Sequence, residues 1–248
     1  MDKANQIAKD GFAVFRADPE VSAWVKAAYP VAVSVASDPV VRAQQLRHGD
    51  TWFVGVDVLP NAKDGSINGI ALRGAWRDVV PDIALHEAQL SIIYPGYPKR
   101  DAAQSEANHR YRIDRFAAHV DGLLLEGAAR RRFAREFHAY ILGVPLNDAT
   151  AAPTVVWPGS HKIMQHALVD AVGDKDLNKV DLTQAYHAAR RKVFETCAPV
   201  AIRARPGDAF LIHRFALHGT APWESGAGPG RMIAFFRPEF ARARDWLG

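Results

Sequence analysis

The sequence predicts a mainly β jelly roll with flanking helices, an α+β arrangement. From Glu87 onward, short apolar and β-branched runs alternate with Pro, Gly, Asn or Asp, as in antiparallel strands joined by loops. Between Ile163 and Cys197 the apolar residues instead follow a helical spacing. With 48% hydrophobic and 23% charged residues, the 248-residue chain has a typical globular composition. We expect one domain over residues 1–248, with its core at about 87–238.

The first part of the chain is predicted to form a layer that leads into the sheet. Residues 3–9 suit a short helix, and residues 11–15 are β-branched and aromatic enough for a first strand. Apolar residues three or four apart predict a helix over residues 19–29. A second strand is expected over residues 52–59, and a Pro-Asn turn signal ends it.

The remaining strands should form the body of the jelly roll. The segments that read as strands are residues 89–94, 116–124, 137–146, 154–157, 209–212 and 232–236. The inserted segment 163–197 is predicted to be helical, with Tyr186, Ala189 and Val193 on its buried side. A loop rich in Gly and Pro, residues 219–230, separates the last two strands.

Charge and cysteine content limit the function classes. The net charge of +4, from 31 Lys and Arg against 27 Asp and Glu, does not indicate nucleic-acid binding, since no aromatic residues interleave with the arginine clusters. A single cysteine, Cys197, fits a reducing compartment. The sequence shows neither a signal peptide nor an apolar run of roughly 18 residues that could span a membrane. We therefore expect a cytoplasmic protein without a nucleic-acid or membrane partner, and the sequence does not indicate its oligomeric state.

A candidate metal site begins with His119-Val120-Asp121. On an extended strand, side chains two residues apart share a face, so His119 and Asp121 would point the same way. His218 is the candidate third ligand. His213 is an alternative ligand, although we favour a buried structural role for it. Two imidazoles and one carboxylate leave open coordination positions, the arrangement of non-haem Fe(II) oxygenases.

Arg231 lies at the start of the last predicted strand. It shares the parity of Ile233 and Phe235, and we therefore expect it to face an apolar interior. A buried guanidinium requires a compensating anion, which is either a protein carboxylate or a ligand carboxylate held bidentately. The sequence leaves both possibilities open.

Four motifs then occur in a recognisable order. They are His119-Val120-Asp121, the segment Val155-Val156-Trp157-Pro158-Gly159-Ser160-His161-Lys162, the segment Pro206-Gly207-Asp208-Ala209-Phe210-Leu211, and Leu217-His218-Gly219 followed by Arg231. Together they resemble the phytanoyl-CoA dioxygenase family of Fe(II)/2-oxoglutarate-dependent oxygenases. The resemblance spans roughly residues 87–238, and residues 11–15 show a weaker similarity.

The resemblance implies a double-stranded β-helix fold, the cupin-like form of the jelly roll. It implies that His119, Asp121 and His218 are the catalytic iron ligands, and that Arg231 binds the cosubstrate 2-oxoglutarate with help from the Thr220 hydroxyl. The implied reaction uses O2 to hydroxylate or desaturate a small organic substrate, with release of succinate and CO2. Related halogenases replace the carboxylate ligand by a small residue, so Asp121 favours hydroxylation or desaturation.

Several other residues are weaker candidates. Polar residues on predicted strands could contact the cosubstrate, or could be ordinary strand residues: Gln89, Tyr94 and Tyr140. Residues near the motifs could reach a substrate, but a structural or solvated role is favoured for each: Arg112, Arg115, Trp157, His161 and Trp223. The charged segment 99–115 is predicted to be a loop.

Two alternative functions remain open from the sequence. One is a cupin-like metalloenzyme that does not use 2-oxoglutarate, in which Arg231 would be structural. The other is a non-catalytic small-molecule-binding jelly roll, since a fold does not determine a function. Nothing in the sequence identifies the substrate.

Overall fold

A computed structural model describes residues 2–224, 226 and 228–248. The helices in this part of the chain are α1 (Lys3–Asp10), α2 (Pro19–Ser37), α3 (Pro39–Gln45), α4 (Glu106–Asp114), α5 (Ser160–Val172) and α6 (Thr183–Thr196). The strands are β1 (Phe12–Phe15), β2 (Leu46–Arg47), β3 (Trp52–Phe53), β4 (Gln89–Ile93), β5 (Leu123–Glu126), β6 (Arg131–Ala134), β7 (Tyr140–Pro145), β8 (Thr154–Val156), β9 (Val200–Ile202), β10 (Ala209–His213), β11 (His218–Thr220) and β12 (Arg231–Phe236).

The strands form two antiparallel sheets and a hairpin. The major sheet has the order β1-β10-β7-β12-β4-β3-β2, the minor sheet has the order β11-β8-β9, and β5 pairs with β6. Most neighbouring strands of the major sheet, from β1 to β4, and the β11-β8 pair of the minor sheet are not consecutive in sequence, as in a jelly roll. The predicted mainly β fold with flanking helices is therefore confirmed, and the arrangement fits a double-stranded β-helix.

The two faces of the major sheet pack against different layers, because alternate side chains point to opposite faces. One face packs into a core that includes the α2 residues Trp24 and Ala28; its members include Leu90, Leu142, Val144, Ala234 and Phe236. The opposite face packs with Val156 and Ile202 of the minor sheet; its members include Ile141, Phe210, Ile212, Ile233 and Phe235. The candidate site lies on this second, inward face.

The helix predicted for residues 19–29 is longer than expected. α2 begins with Asp18 as its N-cap and continues through Pro30 to Ser37. A proline inside a helix removes one backbone hydrogen bond. Here Ala32 and Ala36 continue the buried stripe that Trp24 and Ala28 begin, and this packing outweighs the lost bond.

The strand predicted over residues 52–59 is largely wrong, because only Trp52–Phe53 is extended. Gly55 and Asp57 have φ values of 49° and 51°, in the left-handed region, so the chain turns away from the sheet. A side chain at Gly55 would collide with the Leu90 carbonyl, whose strand approaches closely here. The turn therefore depends on glycine.

The strand predicted over residues 116–124 is also largely wrong, because only its last two residues are in a strand. α4 ends at Asp114, inside the segment expected to be a loop, and Phe116 and Ala117 have φ values of 56° and 52°. Strand geometry resumes only at Leu123. The residues around His119 and Asp121 are therefore irregular, and strand alternation does not explain their common direction.

The predicted helical insert is present as α5 and α6, and it begins at Ser160 rather than Ile163. Tyr186, Ala189 and Val193 are buried as expected. The loop predicted at residues 219–230 starts later, because β11 continues to Thr220; Ser225 and Ala227 of this loop lie outside the described residues. None of the helices in the described ranges combines the length and apolar character that a membrane crossing requires.

Candidate metal centre

His119, Asp121 and His218 converge in space, with one potential ligand atom from each within 4.8 Å of the others. His119 Nε2 lies 3.0 Å from Asp121 Oδ1, and His218 Nε2 lies 3.6 Å from Asp121 Oδ2. The side chain of His218 is buried and that of Asp121 is 12% exposed, whereas that of His119 is 46% exposed. The group therefore has one open side, at His119.

A direct backbone pairing brings the first histidine to the last. His119 and His218 exchange two N–H to carbonyl hydrogen bonds, of 2.8 and 3.0 Å. The Thr220 N–H donates to the Phe116 carbonyl at 2.9 Å, and a side chain at Gly219 would collide with the same carbonyl. This pairing with β11 takes the place of the continuous strand that the sequence predicted.

Both histidines are held in one tautomer. The Nδ1 of His119 lies 2.9 Å from the Ala117 carbonyl, and the Nδ1 of His218 lies 2.9 Å from the Ala216 carbonyl. A carbonyl oxygen only accepts, so each Nδ1 carries the hydrogen and donates it. The Nε2 atoms of both rings therefore point their lone pairs at Asp121, and backbone acceptors of this kind orient metal-binding histidines.

Arg237 holds the carboxylate from the other side. Its Nε lies 2.5 Å from Asp121 Oδ2, and its Nη1 donates to Gln89 Oε1 at 2.6 Å. Burial opposes ionisation of Asp121, but the charge of Arg237 beside the carboxylate holds its pKa well below the usual value. Asp121 is therefore an anion at neutral pH.

The sequence interpretation did not consider Arg237. A signal was available, because Arg237 continues the alternation of Arg231, Ile233 and Phe235 toward the inward face. It stands directly after β12 ends at Phe236.

Arg231 is buried on the inward face, as its parity predicted, with 3% of its surface exposed. Its Nε and Nη2 atoms have no hydrogen-bond partner, and no carboxylate of the described residues acts on it. Burial lowers the pKa of the Arg231 guanidinium to about 10, so it stays protonated at neutral pH. The protein-carboxylate alternative is absent within the described part of the chain.

Two threonines, Thr154 and Thr220, line the same cavity as the candidate ligands, and Thr154 contacts Arg231. Thr154 Oγ1 is 3.5 Å from Arg231 Nη1, at the limit of a hydrogen bond. Thr220 pairs with Thr154 across the minor sheet, and its side chain is partly exposed. The sequence interpretation included Thr220 but missed Thr154, whose position depends on pairing between distant strands.

Two cavities meet at the metal centre and share Gln89, Asp121 and Arg237. The inner cavity, about 210 Å³, contains the three candidate ligands, and its other lining residues include Trp52, Tyr97, Arg112, Thr154 and Thr220. The acidic cavity, about 430 Å³, is lined by Asp57, His86, Glu136, His138 and Glu239. Burial, then the charges of Asp121 and Glu239, raise the pKa of Glu136.

Most of the weaker candidates lie elsewhere. Tyr94 accepts a hydrogen bond from Arg42, Tyr140 packs against Trp76, Arg115 lies over Phe194, and Trp157 packs against Phe116 and Phe194. His161 and His213 pack against each other with ring centroids 4.9 Å apart and the rings tilted by 50°, outside the group of possible ligands. Trp223 lines a surface groove, together with Phe116. Gln89 and Arg112 are the two weaker candidates that reach the site.

No protein-family model and no curated protein matches the sequence. Among solved structures, the chain resembles EctD from S. alaskensis with bound Fe, at 14% identity and a TM-score of 0.51 over 95% of this chain and 75% of that one. Also similar is SnoK, a non-haem α-ketoglutarate-dependent carbocyclase from nogalamycin biosynthesis, at 16% identity and a TM-score of 0.49 over 94% and 81% of the two chains. At such identities the resemblance to EctD shows a shared fold.

Proposed function

We propose that this chain is an Fe(II)- and 2-oxoglutarate-dependent dioxygenase that hydroxylates or desaturates a small organic substrate. The observation that carries the proposal is Arg231, a buried cation without a carboxylate partner among the described residues, on the same inward face as a group of two histidines and one aspartate. A generic metal site does not require such a cation. A cosubstrate with a second carboxylate does.

The donor set fits a metal ion. Two Nε2 lone pairs and an ionised carboxylate converge within 4.8 Å, and unprotonated donors so close repel one another unless a cation lies among them. EctD, which shares the fold, was solved with bound Fe. We assign His119, Asp121 and His218 as the residues that would hold Fe(II), which is the usual metal of a site with two histidines and one carboxylate.

Iron and 2-oxoglutarate, when bound, would supply the oxidant from O2, with release of succinate and CO2. The Ala117 and Ala216 carbonyls fix the two histidine rings. Arg231, beside Thr154, would bind the distal carboxylate of 2-oxoglutarate, and the Thr220 hydroxyl would support it. Because His119 lies on the open side, the substrate would approach from there. A carboxylate at position 121 favours hydroxylation or desaturation over halogenation.

We further propose membership of the phytanoyl-CoA dioxygenase family and a single catalytic domain over residues 1–248. The support is the order of the motifs around His119, Asp121 and His218 and their convergence in space. The substrate is an unidentified small molecule.

The decisive experiment combines metal analysis with 2-oxoglutarate binding. Apo-protein reconstituted anaerobically with Fe(II) should retain about one equivalent of iron, bind 2-oxoglutarate, and form succinate once O2 is admitted. His119→Ala should lose the iron, whereas Arg231→Ala should keep the iron and lose 2-oxoglutarate affinity. If Arg231→Ala binds 2-oxoglutarate as the wild type does, a metalloenzyme that does not use this cosubstrate becomes the better description.

A further inference from the structure

Arg112 lines the inner cavity directly and is not neutralised there. Its Nη1 donates to the Tyr97 hydroxyl at 2.9 Å, and its guanidinium carbon lies 5.6 Å from the centre of the Trp52 ring. Its Nε is buried and has no hydrogen-bond partner. Among the described residues no carboxylate pairs with Arg112, so the inner cavity contains a cation with unused donors.

Neighbouring arginines of the same segment are used differently. Arg110 pairs with Glu106 one helical turn away, and Arg115 lies over the Phe194 ring. Neither lines the inner cavity. Arg112 therefore differs from them because its side chain lines the inner cavity and because no carboxylate of the described residues pairs with it.

The surroundings of Arg112 fix it in place. Tyr97 is 3% exposed, and the Trp52 indole N–H donates to the Ser91 hydroxyl at 3.1 Å. Stacking on an aromatic ring and a hydrogen bond to a buried hydroxyl hold a guanidinium without neutralising it. Such an arrangement leaves the charge of the guanidinium without a counter-ion, which a planar anion in the inner cavity would supply.

We propose that Arg112 is a second carboxylate-binding residue of the metal-facing cavity, in addition to Arg231. The inference rests on the proposed function, and it deepens that function by naming a recognition element for the reactants. The bound carboxylate belongs either to 2-oxoglutarate or to the substrate. Arg112 lines the inner cavity, whereas Arg231 does not line it and instead contacts Thr154, which does. The two arginines therefore serve different carboxylates or different oxygens of one carboxylate.

Binding of three probes to the Fe(II)-loaded protein, measured anaerobically by calorimetry, tests the proposal. The probes are 2-oxoglutarate, 2-oxopentanoate, which lacks the distal carboxylate, and propionate added to protein already saturated with 2-oxoglutarate. Arg112→Gln should lower the affinity for at least one of the probes roughly ten- to a hundredfold, the range expected for a lost charge-assisted hydrogen bond. Arg110→Gln, the matched control on the same helix, should bind all three as the wild type does.

The pattern of losses identifies the carboxylate. If the Arg112 variant binds 2-oxoglutarate more weakly but binds 2-oxopentanoate as the wild type does, Arg112 contacts the distal carboxylate of the cosubstrate. If the variant binds both keto acids as the wild type does but binds propionate more weakly, Arg112 contacts a carboxylate of the substrate. If Arg112→Gln does not fold, Arg112→Lys decides, because it keeps the charge but loses Nε and the planar fork.

Unchanged binding of every probe by a folded Arg112 variant overturns the proposal. If wild-type protein binds neither keto acid, the proposed function fails, and propionate is then titrated into the Fe(II)-loaded protein alone. If the wild type then binds propionate and the Arg112 variant does not, Arg112 is a carboxylate-binding residue in a protein that does not use 2-oxoglutarate. Absence of propionate binding by the wild type as well would overturn both.

Discussion

The Nε of Arg237 lies 2.5 Å from Oδ2 of Asp121, while both histidine Nε2 atoms lie within 3.6 Å of the same carboxylate. Arg237 is itself oriented by Gln89 and by its backbone N–H, which donates to His86 Nε2 at 2.9 Å. A carboxylate contacted from both sides has little freedom to rotate. Arg237 therefore acts on the metal centre through the orientation of Asp121.

Replacing Arg237 by Gln should weaken Fe(II) binding by roughly ten- to a hundredfold, the effect usual for a partner that orients a metal ligand. The charge of Arg237 also repels a cation, and its removal alone would tighten binding. We expect the loss of orientation to dominate, because the Arg237 contact to Asp121 is short and nearly buried. Competition against a chelator measures the affinity, and Arg242→Gln, an exposed arginine paired with Asp245, is the control. Tighter iron binding by Arg237→Gln would show that charge dominates.

Arg231→Met should leave the free energy of unfolding unchanged within about 1 kcal/mol or increase it. Breaking a buried ion pair costs about 3–5 kcal/mol, but a lone buried cation has no partner to lose, and an apolar side chain of similar size is often tolerated or stabilising. Urea denaturation of ligand-free protein measures this. In wild-type protein loaded with Fe(II), 2-oxoglutarate should raise the Tm, and the Arg231→Met protein should lack this response.

Arg135→Met provides the comparison. The Nε and Nη2 atoms of Arg135 pair with both oxygens of Glu126, at 2.5 and 3.0 Å, so its replacement should lower the free energy of unfolding. A larger loss in Arg231→Met than in Arg135→Met would mean that a protein group neutralises Arg231.

The sequence predicted the features that depend on local periodicity. The alternation that places Arg231 on the inward face is a property of one strand, and the buried stripe of Tyr186, Ala189 and Val193 is a property of one helix. The position of His119 depends instead on pairing with His218, a long-range contact that no local pattern records. The motif was therefore found, but the strand given as its explanation was wrong.

Long-range structure also explains one residue that sequence reasoning missed, Thr154, and one that it ranked only as a weaker candidate, Arg112. Thr154 reaches Arg231 because β8 pairs with β11, and Arg112 reaches the inner cavity because α4 forms where a charged loop was expected. In both cases tertiary structure determines what a side chain contacts, and the sequence shows only a polar residue.

Gly219→Ala should disrupt the metal centre without altering any candidate ligand. Its new methyl group would collide with the Phe116 carbonyl and push apart the segments that carry His119 and His218. We expect the free energy of unfolding to fall by about 2 kcal/mol, within the range of strained core substitutions, and Fe(II) affinity to fall with it. Gly228→Ala is the control, because its methyl group would meet Trp223 at an ordinary 3.6 Å. Unchanged iron affinity in folded Gly219→Ala would contradict this role of the pairing.

Stability should fall on acidification below about pH 6.5, partly because of His213. Burial, together with the charge of Arg214 and the neighbouring His161, lowers the pKa of His213 to about 3. Between this value and the ordinary value near 6.5, the unfolded chain binds a proton that the folded protein does not, so the free energy of unfolding decreases as the pH falls. The contribution is up to about 1.4 kcal/mol per pH unit.

His213→Asn should flatten this dependence. An asparagine can still accept the Phe215 N–H, which His213 Nδ1 now accepts at 3.2 Å, but it does not titrate. Urea unfolding at pH 7 and pH 5 should therefore show a smaller difference for His213→Asn than for the wild type, whereas His166→Asn, whose side chain is 81% exposed, should behave as the wild type does. An equally steep pH dependence in His213→Asn would assign the acid sensitivity to other buried groups, of which His138, with a pKa lowered by burial to about 4, is the next to test.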